Sequence, residues 1–419
     1  MPANFLHGVE TIEVTTGPVP VNVVKTAVIG LIGTAPIQTL TNGDQSINTP
    51  TLVLNTVDAA TYFGEDTEGY TIPAALSAIF AQGFGMAIVI NVFDPSKHIN
   101  ATTGKPDPSM VTAMDIIGAV TTDGKRTGLQ CCQDCYGLFG YFPKILIAPG
   151  YSTLNDVTVA MDSMAGIIKA ISIVDSPVGV NPQMAIIGRG TSGLINFNIS
   201  SDRTILCYPY VQAYSKAYGM NVLQPYSQFL AGVIAAKDIS NGYWWSPSNT
   251  QIKGITGMER SLSAMINDPN SEVNLLNESG IVTIFNSYGS GLRTWGNRSS
   301  AYPTSTSPSN FIAVRRTADI LEESISYAML QFLDYPMSTA LIDSICETVN
   351  SFIRSLVARG AIIDGNCSFD PSLNQATDLA AGHLTFDLSF MPPPPAERIT
   401  FQSYIDISYL TELGGITNA

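Results

Sequence analysis

Cys131, Cys132 and Cys135 are the closest group of residues able to do chemistry. Cys132-Gln-Asp-Cys135 has the C-x-x-C spacing that supplies a redox dithiol or half of a tetrahedral metal site. No second cysteine pair completes four ligands. The three histidines, His7, His98 and His383, adjoin neither one another nor a cysteine, and no H-x-x-x-H spacing occurs. With Leu129, Tyr136 and Phe139 around them, the three cysteines are expected as small core residues on a helix over 129–139. Gly188-Arg-Gly-Thr-Ser-Gly193 fits G-x-G-x-x-G after the apolar Ala185-Ile-Ile187. A dinucleotide site needs a helix to open there, so that its amino end faces the pyrophosphate. Residues 194–199 instead read as extended, which predicts a glycine-rich turn. Gly30-Leu-Ile-Gly33 follows a strand but lacks the Gly-Lys-Ser/Thr that would hold a phosphate, and no G-x-S-x-G elbow exists. Glu322 and Glu323 are adjacent on a predicted helix and so point in different directions. Trp244, Trp245 and Trp295 read as core or interface anchors before they read as a ligand platform. No catalytic residue, cofactor or metal is expected.

Composition points the same way. The chain has 419 residues and a net charge of −14, which argues against a surface that neutralises nucleic-acid phosphates or anionic lipid. Apolar residues make up 45% and charged residues only 13%. So few charges leave much neutral surface, which is cheap to desolvate, and the balance favours assembly. Six cysteines form no disulfide framework and fit a reducing compartment. The first sixteen residues lack a basic start with an apolar run, so no secretory signal is expected. The apolar stretch Met86 to Phe93 is far below the ~20 residues that span a bilayer.

The elements that would position any site follow from periodicity. Ala27 to Ile32, Met86 to Phe93, Ile145 to Ala148 and Ile171 to Val174 are nearly continuous apolar strands, as in a sheet covered on both faces. Thr51 to Leu54 is a short strand; Pro73 to Ala81 and Val157 to Ala170 are helices. Further on, Ile281 to Phe285 and Phe311 to Val314 are predicted strands, followed by helices over 318–333 and 339–359. In the second of these, Leu341, Ile345, Val349, Phe352 and Leu356 share one face. Asp343, Glu347, Asn350 and Arg354 line another.

Both chain ends read as extended. Residues 10–14 alternate before Gly17-Pro-Val-Pro20, with Val9, Ile12 and Val14 as arm-strand residues. Near the other end Leu384, Phe386, Leu388 and Phe390 alternate, four prolines follow at 392–395, and then Ile399, Phe401, Ile405, Ile407 and Tyr409 form a second stripe. Four prolines favour an extended helix of ~3.1 Å per residue, a stiff spacer that resists a tight hairpin. The second stripe can pair elsewhere in its own domain or add to a neighbouring subunit's sheet.

Several segments, in order along nearly the whole chain, resemble contractile phage tail sheath proteins. They include Val23-Val-Lys-Thr-Ala-Val-Ile-Gly-Leu-Ile-Gly-Thr-Ala-Pro36, Arg126-Thr-Gly-Leu129, Leu146-Ile-Ala-Pro-Gly150 and Gly242-Tyr-Trp-Trp-Ser-Pro-Ser-Asn249. Trp295-Gly-Asn-Arg298, Val314-Arg-Arg-Thr-Ala-Asp319 and Pro395-Ala-Glu-Arg-Ile-Thr-Phe401 continue the series. The cysteine cluster and the glycine run at 188–193 depart from the family pattern.

The resemblance implies a mixed α/β core with helices flanking sheets, a subtilisin-like middle region, a C-terminal α+β domain and extended terminal β arms. The implied divisions are an arm over 1–26, an α/β part over 27–107, a middle domain over 108–278, a C-terminal domain over 279–391 and an arm over 392–419. It also implies a homo-oligomer of stacked hexameric rings around an inner tail tube protein, with baseplate and tail terminator partners. No nucleic-acid contact, membrane insertion or nucleotide is implied. Asp343, Glu347 and Arg354 are the candidates for facing the tube. The expected place is the virion tail, assembled in the host bacterial cytoplasm, of an infectious phage or a headless tailocin. From other classes, an α/β hydrolase and a surface-array protein remain as alternatives.

Overall fold

In the computed structural model, residues 19–410 are described apart from Phe84, Ser192, Leu194, Asn196 and Ile266. The apolar runs become strands β1 (Val28–Gly33), β2 (Thr51–Val53), β3 (Met86–Asn91), β4 (Ile145–Ile147), β5 (Ile171–Asp175) and β6 (Thr204–Cys207). Next come β7 (Val211–Ser215), β8 (Met220–Gln224), β9 (Ile255–Met258), β10 (Ile281–Ser287) and β11 (Gly291–Trp295). The last are β12 (Asp364–Ser368) and β13 (Asp387–Met391).

Eight strands form one sheet in the order β11-β10-β6-β5-β4-β1-β3-β2. The inner pairs are parallel, and antiparallel β2 and β11 close the two edges. Strand order reverses between β1 and β4. Right-handed crossovers therefore place the Ile72–Ala81 and Asn155–Ile167 helices on opposite faces. Every residue of β1, β4, β5 and β6 is buried, as expected of a sheet covered on both sides. This sheet draws strands from all three central divisions of the sequence. Two smaller sheets stand apart from it: antiparallel β8-β7-β9, and the β12–β13 pair.

The Ile312–Met329 helix fastens the C-terminal part to the sheet body. Arg316 pairs with Asp238 of the Tyr226–Ser240 helix through bonds of 2.5 and 2.7 Å, with both side chains buried. Glu323 meets Lys144, and Asp319 meets Arg203. Glu322 accepts from Lys169 at 2.7 Å. Buried pairs add little net stability but penalise any other docking, because a mismatched arrangement leaves a bare charge. Residues 19–26 run along the same helix. Val19 and Gln331 exchange hydrogen bonds of 2.7 and 3.0 Å, and the Val24 amide donates to Ser324 Oγ at 3.1 Å.

Several elements differ from expectation. Phe311 to Val314 is not a strand: from Ile312 onward it is the first turn of the Ile312–Met329 helix. Its β-branched residues favour a strand locally, but burial of Ile312, Arg316, Ile320 and Glu323 at helical spacing decides otherwise. The helix expected over 129–139 is a 3-10 segment, Gly128–Asp134, followed by a single α turn, Cys135–Phe139, that ends on left-handed Gly140. The second stripe, 399–409, forms no strand; Ile407–Leu410 is a 3-10 turn and the rest is irregular.

Candidate functional site

The cysteine cluster is a piece of core. Cys131, Cys132 and Cys135 are all buried, and burial pushes the Cys131 and Cys135 thiols up to about 12. The Cys131 thiol donates to the Asn48 and Arg126 carbonyls at 3.3 and 3.2 Å, a use that requires it protonated. Among the described residues no group of His, Cys, Asp and Glu could hold a metal ion. His98 is also spent internally: Nδ1 accepts from the Asp94 amide at 2.9 Å, and Nε2 lies 3.6 Å from Asp115.

The glycine run is a turn built for one arginine. A Cβ on Gly188 would lie 2.4 Å from Ile195, and one on Gly193 would lie 2.5 Å from Gly188, so only glycine lets this segment fold back on itself. The turn aims Arg189 inward, where its guanidinium donates to five backbone carbonyls. Nε reaches Ser279 at 2.9 Å, Nη1 reaches Phe197 and Ile199 at 2.6 Å each, and Nη2 reaches Ser300 at 2.5 Å and Tyr302 at 3.2 Å. Sequence reasoning saw the glycines and missed the cation between them.

The carboxyl end of β5 holds the one arrangement that invites a catalytic reading. Ligands of open α/β sheets gather at such strand ends. Asp175 accepts from the Ser227 amide at 2.7 Å, from Ser227 Oγ at 2.5 Å and from Ser152 Oγ at 3.3 Å. Burial is the largest influence on its carboxyl and raises it to about 6 against these hydrogen bonds. Asp175, Ser152 and Ser227 are fully buried, and their hydrogen bonds to one another involve no histidine. Burial closes the cluster to a substrate, and it ties the loop after β4 and the start of the Tyr226–Ser240 helix to the end of β5. Of the tryptophans, Trp245 is half exposed with Lys237 Nζ 5.5 Å over its ring, and the other two pack against aromatic neighbours. Trp295 stacks on Phe285 at 4.7 Å and Trp244 meets Tyr243 edge-on at 5.1 Å. Glu322 and Glu323 reach separate lysines.

The surface that remains is one for assembly. β13 follows the predicted alternation, with Leu388 and Phe390 packed towards the Thr339–Ala358 helix. Among the described residues neither outer edge of the β12–β13 pair has a ladder partner. On β12 the Cys367 amide and carbonyl bond the Asn350 side chain, so the outer edge of β13 is the one that offers N–H and C=O groups to an extended chain. After β13 come Pro392 to Pro395, and the chain is then caught at Glu397. The Arg298 guanidinium grips that carboxylate at 2.5 and 3.1 Å, donates to Asn310 Oδ1 at 2.6 Å and lies 3.7 Å over the Phe311 ring. Beyond this pin residues 398–410 turn their apolar side chains outward. Phe401 is 89% and Ile405 100% exposed, and Ile399, Ile407 and Tyr409 are exposed as well. Val9, Ile12 and Val14 lie outside the described residues.

On the Thr339–Ala358 helix, Asp343, Glu347 and Arg354 are all exposed, and Arg354 pairs with Glu347. Asp343 and Glu347 line a groove of about 550 Å³ with Phe352, Pro20 and Val21, beside the emerging N-terminal segment. Asn350 is not part of that face: its amide exchanges two 2.8 Å hydrogen bonds with the backbone of Cys367 on β12.

Comparisons with known proteins agree on one family. Residues 124–300 match the model of the phage tail sheath protein central domain, and 304–406 that of the phage tail sheath C-terminal domain. The tail sheath protein of Burkholderia phage BcepMu is 45% identical, over 99% of this chain and all of that protein. The tail sheath protein of Escherichia phage P2 is 27% identical, over 98% of each chain. Among solved structures, the contracted sheath complex of the extracellular contractile injection system PVC superposes with a TM-score of 0.66 at 16% identity. That likeness covers 98% of this chain and 100% of the other, and it concerns the fold.

Proposed function

The chain belongs to the contractile phage tail sheath family, structural and not enzymatic, and from that premise we propose that it works through its two ends. In this reading the subunits stack as hexameric rings around the inner tail tube. The N- and C-terminal arms add strands to neighbouring subunits' sheets, and baseplate and tail terminator proteins close the stack. Contraction rotates and slides rigid bodies while the arms act as hinges, driving the tube through the host envelope without a nucleotide. The middle region is the subtilisin-like part, and assembly takes place in the host cytoplasm before the sheath enters the virion.

One observation carries the reading: residues 398–410 leave their own body, with their apolar side chains in solvent, while the outer edge of β13 has no ladder partner among the described residues. A pairing of this kind is weak alone and strong when a ring of neighbours is held on a template, because each further junction forms at high effective concentration. The net charge of −14 supports the absence of nucleic-acid contact. Among the described residues no helix is long and apolar enough to cross a membrane. The phage relative at 45% identity favours a phage tail over a headless particle or injection system.

The deciding experiment removes residues 398–419, a cut that keeps the Glu397 pin. The truncated chain should stay folded and monomeric and form no sheath, as judged by negative-stain microscopy beside the full chain. Long sheath tubes grown from the truncation would refute the arm mechanism.

A further inference from the structure

Of the six cysteines, two meet outside the main core. Cys346 sits on the Thr339–Ala358 helix, half-buried; Cys367 sits on β12 and is buried against Val349, Phe352 and Ile353. Burial raises both thiols, and the two also act on each other, Cys367 drawing the Cys346 thiol down and Cys346 pushing the Cys367 thiol up. The placement is held rigidly, because Asn350, one helical turn after Cys346, grips the Cys367 backbone through its N–H and its C=O at 2.8 Å each. A disulfide needs neighbouring backbones, and the Asn350 bracket holds the helix turn that carries Cys346 against the Cys367 backbone before any bond forms. The other four cysteines are buried elsewhere in the fold.

We propose that Cys346 and Cys367 are an oxidisable pair, at which a small-molecule disulfide such as oxidised glutathione closes an intrachain bond joining the helix to β12. The Cys346 thiolate, the more accessible, attacks one sulfur of the small disulfide. That S–S bond breaks, one glutathione leaves as a thiolate, and a mixed disulfide forms. The Cys367 thiolate then attacks the Cys346 sulfur and expels the second glutathione. Two protein thiols lose two electrons in total, one small disulfide becomes two thiols, and the two protons pass to the departing thiolates. Burial pushes the Cys367 thiol up to about 11, so the second step quickens as pH rises. The bond staples β12, and through it the β12–β13 pair, to the helix that supports it.

The test uses the full chain, natively folded, treated with oxidised glutathione at mildly alkaline pH. Free thiols are counted after unfolding, and tryptic peptides are mapped without reduction. Trypsin cuts after Arg354 and Arg359, so the two cysteines fall on separate peptides that only a disulfide keeps together. The expected result is a loss of two of the six free thiols and a linked Cys346–Cys367 peptide pair. Cys346→Ser should retain all its remaining thiols. Retention of six thiols in the parent, a link between other cysteines, or Cys346 carrying glutathione with Cys367 still free would each overturn the proposal. The parent peptide map decides the matter even should the variant fold poorly. None of these outcomes depends on sheath formation.

Discussion

Replacing Phe401 by serine separates what the tail does for its own chain from what it does for a neighbour. In the isolated subunit the ring is 89% exposed, so its removal forfeits almost no burial. Thermal unfolding of the unassembled chain should be unchanged, within the ~0.5 kcal/mol typical of surface positions. Buried in a neighbour's sheet, a phenylalanine contributes about 1.5–3 kcal/mol. Each junction should therefore weaken about 10- to 150-fold, since ~1.4 kcal/mol is a factor of ten. The protein concentration at which sheath forms should rise by the same order, read by light scattering and checked by microscopy. Assembly of Phe401→Ser at the parent concentration, with equal stability, would refute the reasoning; so would a large loss of stability in the monomer, which would mean the ring is needed at home.

Three further outcomes follow from the interior and from the helix face. Arg189→Met leaves five inward-facing carbonyls without their donor and should cost about 3–5 kcal/mol in urea unfolding, with a loss below ~1 kcal/mol contradicting the assignment. Asp175 binds its proton more tightly folded, at about 6, than unfolded, near 3.8. Its contribution to stability is therefore full below ~3.8 and is lost as pH rises through ~6, by roughly 3 kcal/mol for a shift of about two units. Asp175→Asn should gain on the parent by about that amount between pH 4 and 7, and parallel pH profiles of the two proteins would disprove it. Charge reversal at Asp343 and Glu347 should reduce co-sedimentation with the inner tube and spare the fold, the lost Arg354 pair being worth under ~1 kcal/mol on an exposed surface; undiminished co-sedimentation would count against a tube-facing role.

The central sheet was legible because its strands are buried on both faces. β1, β3, β4 and β5 therefore read as uninterrupted apolar runs, and no register had to be guessed. The Thr339–Ala358 helix was legible for the opposite reason, having one apolar stripe and one polar face. Between 204 and 258 both signals fail. β6 is only Thr-Ile-Leu-Cys, β8 is mostly exposed, and the Tyr226–Ser240 helix is buried on nearly all sides from Tyr226 to Ala235, so it shows no amphipathic period. Long-range ion pairs such as Arg316–Asp238 and Arg203–Asp319 leave no local trace, and they hold Phe311 to Val314 to the start of a helix. The outward C-terminal stripe was legible as a pattern. Its lack of a partner among the described residues was not, because alternation says that one face is to be covered and is silent on whose surface covers it. Arg298 and Glu397 each stood inside a family-like segment, yet nothing in their spacing announced that they touch.

That latch has a mechanical corollary. With the prolines stiff and Glu397 held to Arg298, the slack available for reaching a neighbour begins at residue 398, and residues 398–410 are its first stretch. Drawn out fully, such a length reaches at most roughly 45 Å. A neighbour that captured Ile399 to Tyr409 would be tied close to the latch, and a larger excursion would first have to peel that strand away or unhook the glutamate.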